Sequence, residues 1–131
     1  MKRLLGFLLT LFVMLAVCGC GRTDTGSSDN VILTFDNMGE HIQVTLTEEE
    51  AAQVIDILDA NTYAPAFTGV PACGFSEDIS LTVGDRIYAI ACDTCSTVQD
   101  CSNGKYFSIR DQEMAYIHAL FENYGGYFPC V

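Results

Sequence analysis

Twice along this chain a two-residue alternation of apolar side chains gives way to a helical spacing, and that handover limits the folds open to it. Val31, Leu33 and Phe35 alternate with Ile32 and Thr34, and Ile42, Val44 and Leu46 alternate with Gln43 and Thr45. A period of two puts each set on one face of a strand. Asp36-Asn37-Met38-Gly39 between them supplies turn chemistry. Setting Leu33 opposite Ile42 and Val31 opposite Val44 brings both apolar rows to one face, which predicts a hairpin with a four-residue loop. Thr47-Glu48-Glu49-Glu50 then reads as a capping box with acids in the positive first turn of a helix. Ala51, Val54, Ile55 and Leu58 recur at i, i+3, i+4 and i+7, one stripe for packing on the sheet, and Asn61 and Pro65 end it.

The second handover repeats the order. Ile79, Leu81 and Val83 alternate with Ser80 and Thr82, and Gly84-Asp85 reads as a two-residue turn that pairs Val83 with Arg86, Leu81 with Tyr88 and Ile79 with Ile90. Lys105–Ile109 makes a further short strand, with Phe107 and Ile109 inward. Asp111–Tyr124 forms a helix with Met114, Ile117 and Phe121 on its buried stripe and Gly125-Gly126 as its stop. These segments predict an α+β fold: an antiparallel sheet of about five strands with two helices on one face, in the order ββαβββα. With 131 residues the chain has room for one domain, placed at 31–131. Leu46-Thr-Glu-Glu-Glu and Ile109-Arg-Asp-Gln-Glu each lead into a helix, which fits an internal duplication of 31–61 and 79–125, although any strand-to-helix junction shares these traits.

Ahead of the domain, Lys2 and Arg3 precede an apolar run from Leu4 to Val17. At 14 residues the run suits the core of a signal peptide, whereas a spanning helix needs about 20. Val17-Cys18-Gly19-Cys20-Gly21 follows, with an aliphatic residue three places before Cys20 and small residues at the cut. This N-terminal segment resembles the lipobox of bacterial lipoproteins. The resemblance covers about the first 20 residues and concerns targeting alone. It implies removal of residues 1–19 by signal peptidase II, a thioether-linked diacylglycerol on Cys20, and a soluble part outside the cytoplasm at the bacterial cell membrane or envelope. Cys18 is the rival, but Val17 is bulkier than the position before the cut accepts. The rival to the lipoprotein reading is an ordinary signal peptide or an uncleaved anchor. Residues 20–30 then form a lipidated, flexible tether, since Arg22–Asn30 is small and polar and spans very roughly 15–18 Å.

Beyond Arg3 only Arg22, Arg86, Lys105 and Arg110 stand against 17 acids. A surface that acidic repels phosphate, so nucleic acid is excluded as a partner and the lipid contact is the acyl anchor.

Five cysteines follow Cys20: Cys73, Cys92, Cys95, Cys101 and Cys130. In an extracytoplasmic compartment disulfides persist, and each typically adds about 2–4 kcal/mol. Extending the Ile79–Ile90 register brings Cys73 level with Cys95 and Ser96, so Cys73 is expected to pair with Cys95 or Cys92. The remaining thiols could close the 93–104 loop or tie Cys130 back to the sheet, and an odd number leaves one over. A rival reading makes Cys92-x-x-Cys95 a thiol-disulfide redox pair. Against it, Cys92 follows a strand rather than opening a helix, residues 96–104 read as turn and loop, and Asp93 would raise a thiol pKa. A zinc site built on Cys92 and Cys95 with Cys101, Cys73 or His118 lacks the second compact pair that structural zinc prefers. No metal and no cofactor is therefore expected.

His118 sits among Met114, Ile117 and Phe121 and reads as a helix-face residue, His41 as a solvated one. Hydrolase, zinc-protease and nucleotide-binding signatures are absent. Glu48–Glu50, Asp56 and Asp59 read as a solvated face. Of the aromatics Tyr124, Tyr127 and Phe128 near the end, Tyr127 and Phe128 are expected to close the rim of the core if Cys130 is bridged and to form a contact patch if it is free. The reading that follows is a membrane-anchored, non-catalytic binding module stabilised by disulfides, with an envelope protein or a small molecule as partner. No catalytic residue is assigned, and the alternative is the Cys92–Cys95 redox protein.

Overall fold

The computed structural model describes residues 30–61 and 69–126. The leader, Cys20, the tether up to Asp29, and Tyr127, Phe128 and Cys130 lie outside the described residues. Six strands and two helices follow in the order β1 (Val31–Asn37), β2 (Glu40–Thr45), α1 (Glu48–Asn61), β3 (Phe75–Val83), β4 (Arg86–Ala91), β5 (Thr97–Asp100), β6 (Lys105–Ser108) and α2 (Asp111–Asn123). The strands form one antiparallel sheet, β2-β1-β3-β4-β5-β6. The fold is α+β as the periodicities require, but with six strands in the order ββαββββα.

The additional strand is β5, in a stretch that reads as loop. Thr97 and Val98 are buried, and β5 pairs with β4 through Ile90↔Val98 and with β6 through Val98↔Phe107. Its other half is polar, and Asp100 is only 2% exposed. That carboxylate accepts bonds from the backbone N–H of Ser102 (3.0 Å), the Asn103 amide (2.9 Å), the Ser102 hydroxyl and the Arg86 guanidinium. An ionised side chain buried in this way terminates a strand without any apolar signal.

The first hairpin departs from expectation in register, not in face. Leu33 pairs with Val44, Phe35 with Ile42 and Asn37 with Glu40, leaving a two-residue turn of Met38 and Gly39. Both take positive φ, 52° and 85°, as a type I′ turn demands. The shift is two residues, so the apolar rows still share a side. In the second hairpin Val83↔Arg86 and Leu81↔Tyr88 pair as the two-residue turn dictates.

Both helices cover the face carrying Leu33, Phe35, Leu81, Tyr88, Ile90, Val98 and Phe107. Their Val54, Leu58, Ile117 and Phe121 join one core with these side chains, and Phe35 and Phe121 meet edge to face with ring centroids 6.3 Å apart. On α1, Ile57 is buried and Ile55 half-buried, so the stripe turns slightly from Ile55 toward Ile57. The α1 start is a capping box: Thr47 N–H donates to Glu50 (3.0 Å) and Glu50 N–H to the Thr47 hydroxyl (3.4 Å). At the other end of the chain, Gly125 N–H bonds Glu122 O and Gly126 N–H bonds Phe121 O, a Schellman stop with Gly125 at φ 93°. Among the described residues no helix is long and apolar enough to cross a membrane.

Candidate functional sites: the disulfide corner and the interhelical cleft

The sulfur chemistry gathers where β3 begins and β4 ends. An unbroken register from Ser80↔Ala89 would set Asp78 opposite Ala91, but Phe75 stands there, three residues earlier, across an irregularity between Phe75 and Ser80. The ladder continues with Cys92 N–H donating to Gly74 O at 2.9 Å. Cys73 therefore falls beside Asp93, not Ser96, between the two cysteines of the CxxC. It is bonded to Cys95, with the Cα atoms 6.0 Å apart.

Asp93 locks this corner. One of its carboxylate oxygens accepts the Gly74 N–H (2.9 Å) and the other accepts the Cys95 N–H (2.9 Å), so it holds the backbone next to both bridged cysteines. These bonds, the one from Gly74 first, keep its carboxyl below the usual aspartate range. The bond to the residue two places on is an Asx turn, and Asp93-Thr94-Cys95-Ser96 carries that signal in its first residue. Cys92 is buried with its Sγ 3.3 Å from Gly74 O. Cys101 is exposed in the β5–β6 turn with its Sγ 3.9 Å from Gln99 O. His118 Nε2 lies 3.3 Å from Ala91 O, and burial pushes its pKa below the ordinary histidine value. Of the residues expected to gather sulfur, Cys73, Cys92 and Cys95 come together at one corner, while Cys101 occupies a separate turn.

A second site was not foreseen from the sequence. Between α1 and α2 lies a cleft of about 710 Å³, within the usual range for small-molecule sites. Gln53, Asp56 and Asp59 line it from α1, with Ile57 and Ala60 as apolar floor. The facing wall is Arg110, Gln112, Glu113 and Tyr116. Glu113 is almost fully buried and fixes the wall. It accepts bonds from Arg110 N–H (2.8 Å) and the Arg110 guanidinium, whose Nε is 2.8 Å away, and from the Asn61 amide (3.3 Å). The Arg110 side chain holds the Glu113 carboxyl below the usual glutamate range. The cleft thus joins an ion pair, two further carboxylates, two amides and a phenol, groups suited to orienting a polar ligand by hydrogen bonds. Only the helical spacing of Gln53, Asp56 and Asp59, one outward stripe, marks it in the sequence.

No family model matches this chain, and neither the curated proteins nor the solved structures contain a match to it.

Proposed function

We propose that this chain is a bacterial lipoprotein, anchored through diacylglycerol on Cys20, whose extracytoplasmic α+β domain is a non-catalytic binding module. The Cys73–Cys95 disulfide is the observation that carries the reading. A covalent bridge at a site further braced by a carboxylate suits a domain that works in an oxidising compartment. The charged leader, the apolar run and Val17-Cys18-Gly19-Cys20 supply the route there. Two acyl chains anchor stably, since each buried CH₂ contributes about 0.8 kcal/mol. The interhelical cleft is where a small polar ligand is held, with Tyr116 and Ile57 as its apolar contacts and the flanking amides and carboxylates as its polar ones.

Growth of an expressing bacterium with radiolabelled palmitate tests the anchor. Label should enter the wild-type protein and vanish in Cys20→Ala, and inhibition of signal peptidase II should leave a labelled precursor that retains residues 1–19. Unlabelled wild-type protein recovered from the cytoplasm would overturn the proposal.

A further inference from the structure

On the sheet face turned away from the helices, a row of three side chains crosses three adjacent strands. Asp36 of β1 and His41 of β2 are register partners. The β1–β3 ladder pairs Thr34 with Ser80, and Asp78 lies two residues before Ser80 on the same strand. Side chains level across neighbouring strands stand on the same face. The atoms agree: His41 Nδ1 is 3.0 Å from Asp36 Oδ1, and one donor atom from each of Asp36, His41 and Asp78 lies within 4.8 Å of the other two.

The row places two carboxylates on neighbouring strands with one imidazole beside them. Like charges directly opposite one another on neighbouring strands destabilise a sheet, and the net charge of −11 gives no general compensation. Arg86 and Arg110 are committed to Asp100 and Glu113. The imidazole is the cation at hand, and only when protonated.

We propose that Asp36, His41 and Asp78 form a binding site for a divalent transition metal of the zinc type. One imidazole nitrogen with two carboxylate oxygens is a donor set that zinc accepts, whereas calcium and magnesium prefer oxygen alone. Zinc holds nitrogen and oxygen donors at about 2.0–2.2 Å in a tetrahedral arrangement, which limits two donors on one ion to about 3.6 Å apart. Small rotations of exposed side chains bring the present spacing within that limit. Asp36 and His41 are held by the β1–β2 ladder, and Asp78 lies within strand β3, so the site needs no folding of a loop. With the Asp36 and His41 side chains about half exposed (47% and 55%), water completes the coordination. Metal binding replaces the repulsion between Asp36 and Asp78 with a shared cation, and it ties β2, β1 and β3 together across the hairpin.

The test uses the full-length protein in detergent, with Cys101→Ser as background to remove the exposed thiol. Zinc chloride is titrated by calorimetry and by NMR of the two histidine rings. The expected result is one tight site per chain, with the His41 resonances shifting and those of His118 unmoved. Loss of an outer-shell partner already weakens metal sites by roughly 10–100-fold, so His41→Ala and Asp78→Asn should each weaken binding by at least about tenfold. Asp85→Asn, on an exposed turn, should leave it unchanged. Circular dichroism of each variant separates loss of the site from loss of the fold. Unmoved His41 resonances at saturating zinc, or undiminished affinity in both folded ligand variants, would overturn the site. Equal competition by calcium would overturn its assignment to zinc-type metals.

Discussion

The β1–β2 hairpin and the Cys73–Cys95 corner are both places where neighbouring strands must be held in register, and they do it by opposite means. In the hairpin, Leu33 and Phe35 are almost wholly buried, and the register is continuous from Ile32↔Thr45 to Asn37↔Glu40. Slipping by one residue would turn every buried side chain outward, so burial itself holds the pairing. At the corner, the β3–β4 register breaks between Phe75 and Ser80, and apolar alternation no longer fixes which residues face each other. There a covalent bond and the two backbone contacts of Asp93 take over. Where patterning stops specifying register, local polar and covalent chemistry specifies it instead.

Substitutions should separate the two mechanisms. The largest effect is expected for Leu33→Ala, which removes a fully buried side chain. Urea denaturation should show a loss of about 2–5 kcal/mol, with hydrogen-exchange protection falling throughout the sheet. Removing the bridge as the Cys73→Ala/Cys95→Ala pair should cost about 2–4 kcal/mol, with protection lost first around Gly74 and Cys92 and last in β1. Asp93→Ala, with the disulfide intact, should cost about 1 kcal/mol, because the Gly74 and Cys95 amides can turn to water. Uniform loss of protection in the bridge variant would erase the contrast.

The smallest effect is in pH dependence. His118 has a folded pKa below its unfolded value, so folding favours its neutral form. Its contribution is present above about pH 6.5 and lost as pH falls through the folded pKa. The carboxyl of Asp93 is also depressed. Its contribution persists to lower pH, being present above about 3.9 and lost as pH falls through its own folded value. Denaturation midpoints measured from pH 8 to pH 3 should thus decline in two stages. His118→Gln should flatten the first, and Asp93→Asn should reduce the second, which Glu50, Asp100 and Glu113 share.

Legibility in the sequence follows the same division. Both helices, the faces of β1 to β4 and the Val83–Arg86 turn could be read because each rests on apolar periodicity or on glycine. The two-residue turn at Met38 was hidden because methionine rarely takes positive φ, so Asp36 and Asn37 looked like loop when they are strand. β5 was hidden because its second half is polar and its end is held by the buried Asp100 carboxylate. The extended register could place Cys73 near Cys95 but not foresee the irregularity that puts it beside Asp93. The cleft was marked only by the outward stripe of Gln53, Asp56 and Asp59, since it depends on how two helices, each legible alone, approach each other through Asn61, Arg110 and Glu113.

Peptide mass spectrometry of protein purified from membranes under alkylating, non-reducing conditions reads both the lipid anchor on Cys20 and the Cys73–Cys95 bridge, and so decides whether this is an exported, disulfide-held lipoprotein. The expected result is a mature N-terminus at Cys20 bearing diacylglycerol, together with a linked pair of peptides containing Cys73 and Cys95. Alkylated Cys73 and Cys95 on a chain that retains residues 1–19 without acyl modification would contradict it.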